Sequence, residues 1–308
     1  CMSRSVLTTR RLTPLAALAL AIGLTFALPG TAATTPADNT SKACVACHAD
    51  ASKHYANTRH AIADGKTPGA NCATCHGEVL RHLANPMKEK PQFTFKKDVK
   101  GFMDEKTLAE SNKVCTSCHQ GSTQQHWAGS AHESAQVGCV SCHTEHDADI
   151  ALDPKTSTAL CVSCHSEQKS GLFKSSSHPL LSGQMNCVSC HNPHGTAPGN
   201  EKLLKGESVN DTCYTCHPGK RGPFVHPHEA VTENCANCHD VHGTNRMAML
   251  KMEDPMLCTS CHSTAPHDNP SLNNADPVSS KAYVRTGCIA CHKRIHGSNS
   301  VQGQYLVK

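Results

Sequence analysis

Twenty of the 21 cysteines fall in ten Cys-x-x-Cys-His segments. The cysteine pairs are Cys44 and Cys47, Cys72 and Cys75, Cys115 and Cys118, Cys139 and Cys142, and Cys161 and Cys164. They continue with Cys187 and Cys190, Cys213 and Cys216, Cys235 and Cys238, Cys258 and Cys261, and Cys288 and Cys291. The histidines that follow are His48, His76, His119, His143, His165, His191, His217, His239, His262 and His292. This is the attachment pattern of c-type haem. Cysteines at i and i+3 share one face of a helical turn and can form thioethers with two porphyrin vinyl groups. The next residue then carries an imidazole under the ring centre, where it can bind iron. Ten covalent haem c groups are expected.

Structural zinc also uses paired Cys-x-x-Cys, with four ligands per metal. That reading leaves a histidine after every motif unexplained. A disulfide framework fails for the same reason, and vicinal pairs of this kind are usually redox-active.

Thirteen further histidines lie outside the motifs. Each consecutive pair of motifs holds at least one between its members and one soon after the second. This gives ten candidate sixth ligands for ten irons: His60, His82, His132, His146, His178, His194, His228, His242, His267 and His296. The remaining three, His54, His126 and His226, form doublets with His60, His132 and His228. The parallel phrases HYANTRH and HWAGSAH favour His60 and His132. His228 lies seven residues before Cys235, as His132 does before Cys139. The other three read as surface or supporting histidines.

His146, His194 and His242 each follow a motif histidine by three residues. Three extended residues span roughly 10 Å at most, too little to pass round a porphyrin to its opposite face. Each should therefore bind the iron of a different haem and hold two haems close. Irons capped by two imidazoles have no open position, so they pass electrons and do not activate small molecules. No catalytic residue is expected. Met185, Met247, Met249, Met252 and Met256 precede motifs, but the histidine count makes methionine ligation unnecessary, and methionine usually packs.

The elements that must position these groups are short. Motifs start 22 to 43 residues apart, too close for separate domains, so the chain reads as a repeat array. Aromatic residues make up 4% of the chain. Such a polypeptide cannot build an ordinary core, and the porphyrins must supply much of the buried apolar surface. The expected fold is a multihaem cytochrome c: elongated, with short helices and long loops wrapped around ten haems, and little or no sheet. The lysine-rich stretch from Gly77 to Val114 reads as a solvated loop with a helix near Lys106–Val114. Ser263 to Gly287 reads as a second long loop, pinned through His267.

Residues 1–33 read as a secretory signal: Arg4, Arg10 and Arg11, an apolar run from Leu12 to Leu28, and Thr31-Ala32-Ala33 for cleavage. The mature array would cover 34–308. The formal charge is +4. Loss of the signal arginines and addition of ionised propionates bring the holoprotein to about −9 when oxidised and about −19 when reduced. That balance excludes a basic nucleic-acid binder.

The ten motifs, the HxxxxxxCxxCHxxH phrases and the cleavable signal resemble the decahaem periplasmic cytochromes of the MtrA/MtoA type, over residues 44 to 296. The resemblance implies bis-histidine irons in a wire that sits inside a β-barrel porin of the outer membrane. It implies exchange with a periplasmic or inner-membrane cytochrome on one side and an outer-surface multihaem cytochrome or mineral on the other. It places the protein in the periplasm, associated with the outer membrane, in metal reduction or iron oxidation. It also suggests pentahaem halves, here 34–175 and 176–308. A soluble periplasmic carrier feeding a terminal reductase is the main alternative; a multihaem reductase is the third.

Overall fold

Helices begin where the sequence offers a cap. Asp104, Asp153 and Ser208 each accept a main-chain N–H from the first turn of the helices Glu105–Thr116, Pro154–Val162 and Val209–Tyr214. The computed structural model describes residues 42–61, 69–98, 101–121, 123–200, 202–262 and 287–307. Among them the longest helix is Glu105–Thr116, at 12 residues. It encloses the helix expected near Lys106–Val114. No helix among the described residues is long and apolar enough to cross a membrane.

The motifs alternate between two settings. Cys115, Cys161, Cys213 and Cys258 lie near the C-terminal ends of helices, the last in Met256–Thr259. The even-numbered motifs form brief turns of their own: α-helical at Cys72–His76 and Cys139–Cys142, and 3-10 at Cys187–Ser189, Cys235–Asn237 and Cys288–Ala290. The backbone closes the same turn each time. For example, His143 N–H donates to the Cys139 carbonyl at 2.9 Å and His217 N–H to the Cys213 carbonyl at 2.9 Å.

No strand forms among the described residues. Four isolated antiparallel bridges replace sheet: Ser176 with Thr244, His191 with Leu204, His226 with Ser298, and His239 with Leu250. The fold class is thus the expected one, with short helices and loops. The apolar interior of the described polypeptide is correspondingly small. Val79, Met103, Leu108, Trp127 and Leu172 are its buried hydrophobic residues, and no side chain is completely enclosed. Five such residues cannot offset the conformational entropy of a chain this long. The stability must come from a buried group that the polypeptide wraps.

Candidate haem-binding array

Nine motif histidines face nine of the free histidines. The pairs are His48 with His82, His76 with His146, His119 with His60, His143 with His194, and His165 with His132. They continue with His191 and His242, His217 and His178, His239 and His296, and His262 and His228. Ring centres are 5.9 Å apart in the closest pair and 6.5 Å in the widest. Two metal–nitrogen bonds of about 2 Å, with about 1.2 Å from each nitrogen to its ring centre, put trans imidazoles roughly 6.4 Å apart. The observed spacing leaves room for one iron between each pair.

The nitrogens are also sorted. Nδ1 of His76, His191, His239 and His292 donates to the carbonyls of Phe93, Lys202, Ala248 and Tyr305, at 2.7–3.0 Å. Nδ1 of His82, His132, His178 and His228 donates to the carbonyls of Glu89, Pro193, Val241 and Ile295, at 2.8–3.1 Å. A proton fixed on Nδ1 leaves the Nε2 lone pair for a metal, and the acceptor fixes the ring's orientation. Burial and the facing motif histidine hold His146, His194 and His242 below the usual imidazole range. Burial, then Lys220, does the same for His296. A neutral imidazole is the form that ligates.

The pairing follows a register. His60, His132, His178 and His228 each lead an even-numbered motif, and each faces the histidine of the next, odd-numbered one. His146, His194, His242 and His296 each trail an even-numbered motif and face the histidine of the previous even-numbered one. His146, His194 and His242 therefore stand against a motif histidine other than the one three residues before them. His82 closes the start of the series on His48. His267 lies outside the described residues.

The loops that set this register share a device. Ser176 pairs with Thr244, and two residues later His178 Nδ1–H reaches the Val241 carbonyl, just before His242. His226 pairs with Ser298, and His228 reaches Ile295, just before His296. One clamp thus orients a leading and a trailing histidine together. Glycine after the trailing histidine lets the backbone segments touch: Gly195 has φ 103°, and a Cβ there would collide with the His126 carbonyl. His126 and His226 act here through main chain. His54 is exposed, with Nδ1 3.4 Å from Asp147. None of these three faces a motif histidine among the described ring pairs.

A second device joins consecutive motifs. Buried Asn112 accepts the N–H of Cys139, and buried Asn210 that of Cys235. Asp254 accepts the N–H groups of Cys288 and Ile289. Each acceptor lies three or four residues before an odd-numbered motif, a signal that sequence reasoning passed over. The return turns add left-handed residues directly after the carbonyls that hold His191 and His292: Leu203 at φ 53° and Leu306 at φ 55°. Such positions cost about 1 kcal/mol each and cluster at functional sites.

The sulfur atoms fix the order of the sites. First cysteines interact as Cys44 with Cys72, Cys115 with Cys139, Cys161 with Cys187, Cys213 with Cys235, and Cys258 with Cys288. Second cysteines interact as Cys75 with Cys118, Cys142 with Cys164, Cys190 with Cys216, and Cys238 with Cys261. Cysteines of consecutive motifs thus lie near one another, so the attachment points follow chain order.

The residues fit haem c. The donor set is right, and a cavity of about 580 Å³ opens beside His119, lined in part by Asn112, Thr116 and Trp127. That volume lies within the ~300–1,000 Å³ of cofactor pockets. Trp127 Nε1 at its wall is buried with no hydrogen-bond partner, a donor left for something the polypeptide does not supply.

Comparison with known proteins gives the same chemistry. A family model described as the doubled CXXCH motif matches residues 132–170, 178–222 and 228–267. Each match starts on a leading histidine, and each contains the odd-numbered motif whose histidine that residue faces. The chain is 40% identical over 272 residues to the multiheme cytochrome MtrA of Shewanella baltica (strain OS185), covering 85% of this chain and 80% of that protein.

Proposed function

The chain belongs to the MtrA family of multihaem cytochromes c and is an electron carrier; from that premise we propose that it holds ten haem c groups, each iron capped by two histidines, and conducts electrons across the outer membrane inside a β-barrel porin. The opposed imidazoles with their Nδ1 protons tied back carry this reading. The cysteines would anchor the haem, the motif histidine and its opposite number would fill both iron positions, and a carbonyl or carboxylate holds one ring of each pair. Bound haem supplies the one-electron ferric/ferrous couple. His267, which leads the tenth motif, would complete the ligand set.

The proposed partners are the porin, an outer-surface multihaem cytochrome, and a periplasmic or inner-membrane cytochrome. The protein would work in the periplasm, against the outer membrane, in extracellular metal reduction or iron oxidation. Support comes from family membership and from the chain order of the sites, which suits end-to-end conduction. The test is reconstitution with a candidate porin in sealed vesicles containing an electron-accepting dye. Reduction of the enclosed dye by an external donor, dependent on both proteins, is expected. A holoprotein that stays soluble, binds no barrel and leaves the dye oxidised would instead be a periplasmic carrier.

A further inference from the structure

Nδ1 of two histidines of the array lies within 3.0 Å of a carboxylate, where eight others donate to main-chain carbonyls. His143 Nδ1 lies 2.6 Å from Asp149 Oδ2, and His60 Nδ1 lies 3.0 Å from Glu145 Oε2. His60 faces His119 and His143 faces His194, so the two carboxylates serve the third and fourth sites, which are neighbours. Both come from one short segment, TEHDAD, after the fourth motif. In the corresponding places after the sixth, eighth and tenth motifs, Pro193, Val241 and Ile295 offer carbonyl oxygens.

A carboxylate that accepts the imidazole proton makes the ring a more basic ligand. It also puts a fixed negative charge next to the metal. The Asp149 and Glu145 side chains are 20% and 34% exposed, so solvent and salt screen them less than free surface charges. Both effects favour the more positive ferric state and lower the potential. Lys97, whose Nζ donates to the Val140 carbonyl at 3.0 Å, approaches the same turn and offsets part of the field.

We propose that Asp149 and Glu145 are positioning residues that make the haems at the third and fourth motifs the lowest-potential pair in the array. Resting on the bis-histidine reading above, this places an energetic crest near the N-terminal end of the series. Electrons moving in either direction must cross it, and its height sets the driving force the carrier needs.

The test is a potentiometric titration of the full-length holoprotein followed by electron paramagnetic resonance, with haem counted by pyridine haemochrome on the same samples. The two ferric signals that persist to lowest potential should differ in type, because the ring planes are 85° apart at His60–His119 and 14° apart at His143–His194. Asp149→Asn should raise the potential of the near-parallel signal by a factor of ten in the ferrous-to-ferric ratio, about 59 mV for one electron. Asp149→Glu should restore it. Glu145→Gln should move the near-perpendicular signal, and provides an independent probe if Asp149→Asn loads haem poorly. Ten haems in every sample with the low-potential signals unmoved by either neutral variant would overturn the tuning. Fewer than ten in the unsubstituted protein would instead overturn the array reading beneath it.

Discussion

The segment after the fourth motif and those after the sixth, eighth and tenth solve one geometric problem with different chemistry. Each must hold a leading histidine and the motif's own histidine. After the later motifs, neutral carbonyls from a loop that folds back do this, and glycine permits the backbone contact. After the fourth, Glu145 and Asp149 do it with side chains, and the return is shorter: six residues separate His143 from Asp149, against eleven from His191 to Lys202. The orientation of an imidazole therefore places little demand on the acceptor's identity. Its charge is free to vary from repeat to repeat, and with it the electron affinity of the metal.

The sharpest way to break the equivalence of the repeats is to remove a leading histidine. His178→Ala should convert one haem, held by His217, to a high-spin form visible by electron paramagnetic resonance. The same change at His226, which contributes main chain and not an iron-facing ring, should leave every haem low-spin. Next in size is the backbone contact at Gly195. Gly195→Val forces a left-handed backbone and a collision with the His126 carbonyl, and should destabilise the holoprotein by about 3 kcal/mol, read from its thermal unfolding. Gly129→Val shares the positive φ, but a Cβ there meets nothing within 4 Å, so its penalty should be clearly smaller.

Smaller again is the clamp between motifs. Asn210→Ala leaves the Cys235 N–H without its acceptor and should cost about 1–3 kcal/mol in denaturant unfolding, with haem content unchanged. The mildest distinction needs no substitution. Ring planes lie within 29° of parallel at six sites and 53° to 85° apart at the three built on His60, His132 and His178. Parallel planes split the iron π orbitals and crossed planes bring them together. The ferric spectrum should therefore contain two classes of low-spin signal, the broad, high-g class being the smaller.

Much of this was written in the sequence because covalent attachment requires a strict local spacing. The ten motifs, the lack of strands among the described residues and the helix near Lys106–Val114 all follow from near-neighbour patterns and composition. The choice of His60, His132 and His228 within their doublets rested on repeated phrases, and these are the members that face motif histidines. The pairing itself was out of reach. His132 meets His165 and His76 meets His146 through contacts between repeats, which spacing limits only by exclusion. The doubled-motif unit also starts one motif later than a count from the N-terminus suggests, since a leading histidine belongs with the motif after its neighbour. Nothing local marks Asn112 and Asn210, because their partners are 25 or more residues away. Glu145 and Asp149 are equally unmarked, since nothing local identifies a carboxylate as the partner of a ligand.

Near-infrared magnetic circular dichroism of the fully oxidised holoprotein tests bis-histidine capping most directly. The expected spectrum has only the low-spin charge-transfer band of bis-histidine iron, with an intensity equal to the haem count. A histidine–methionine band, or a high-spin band worth even one haem in ten, would contradict it.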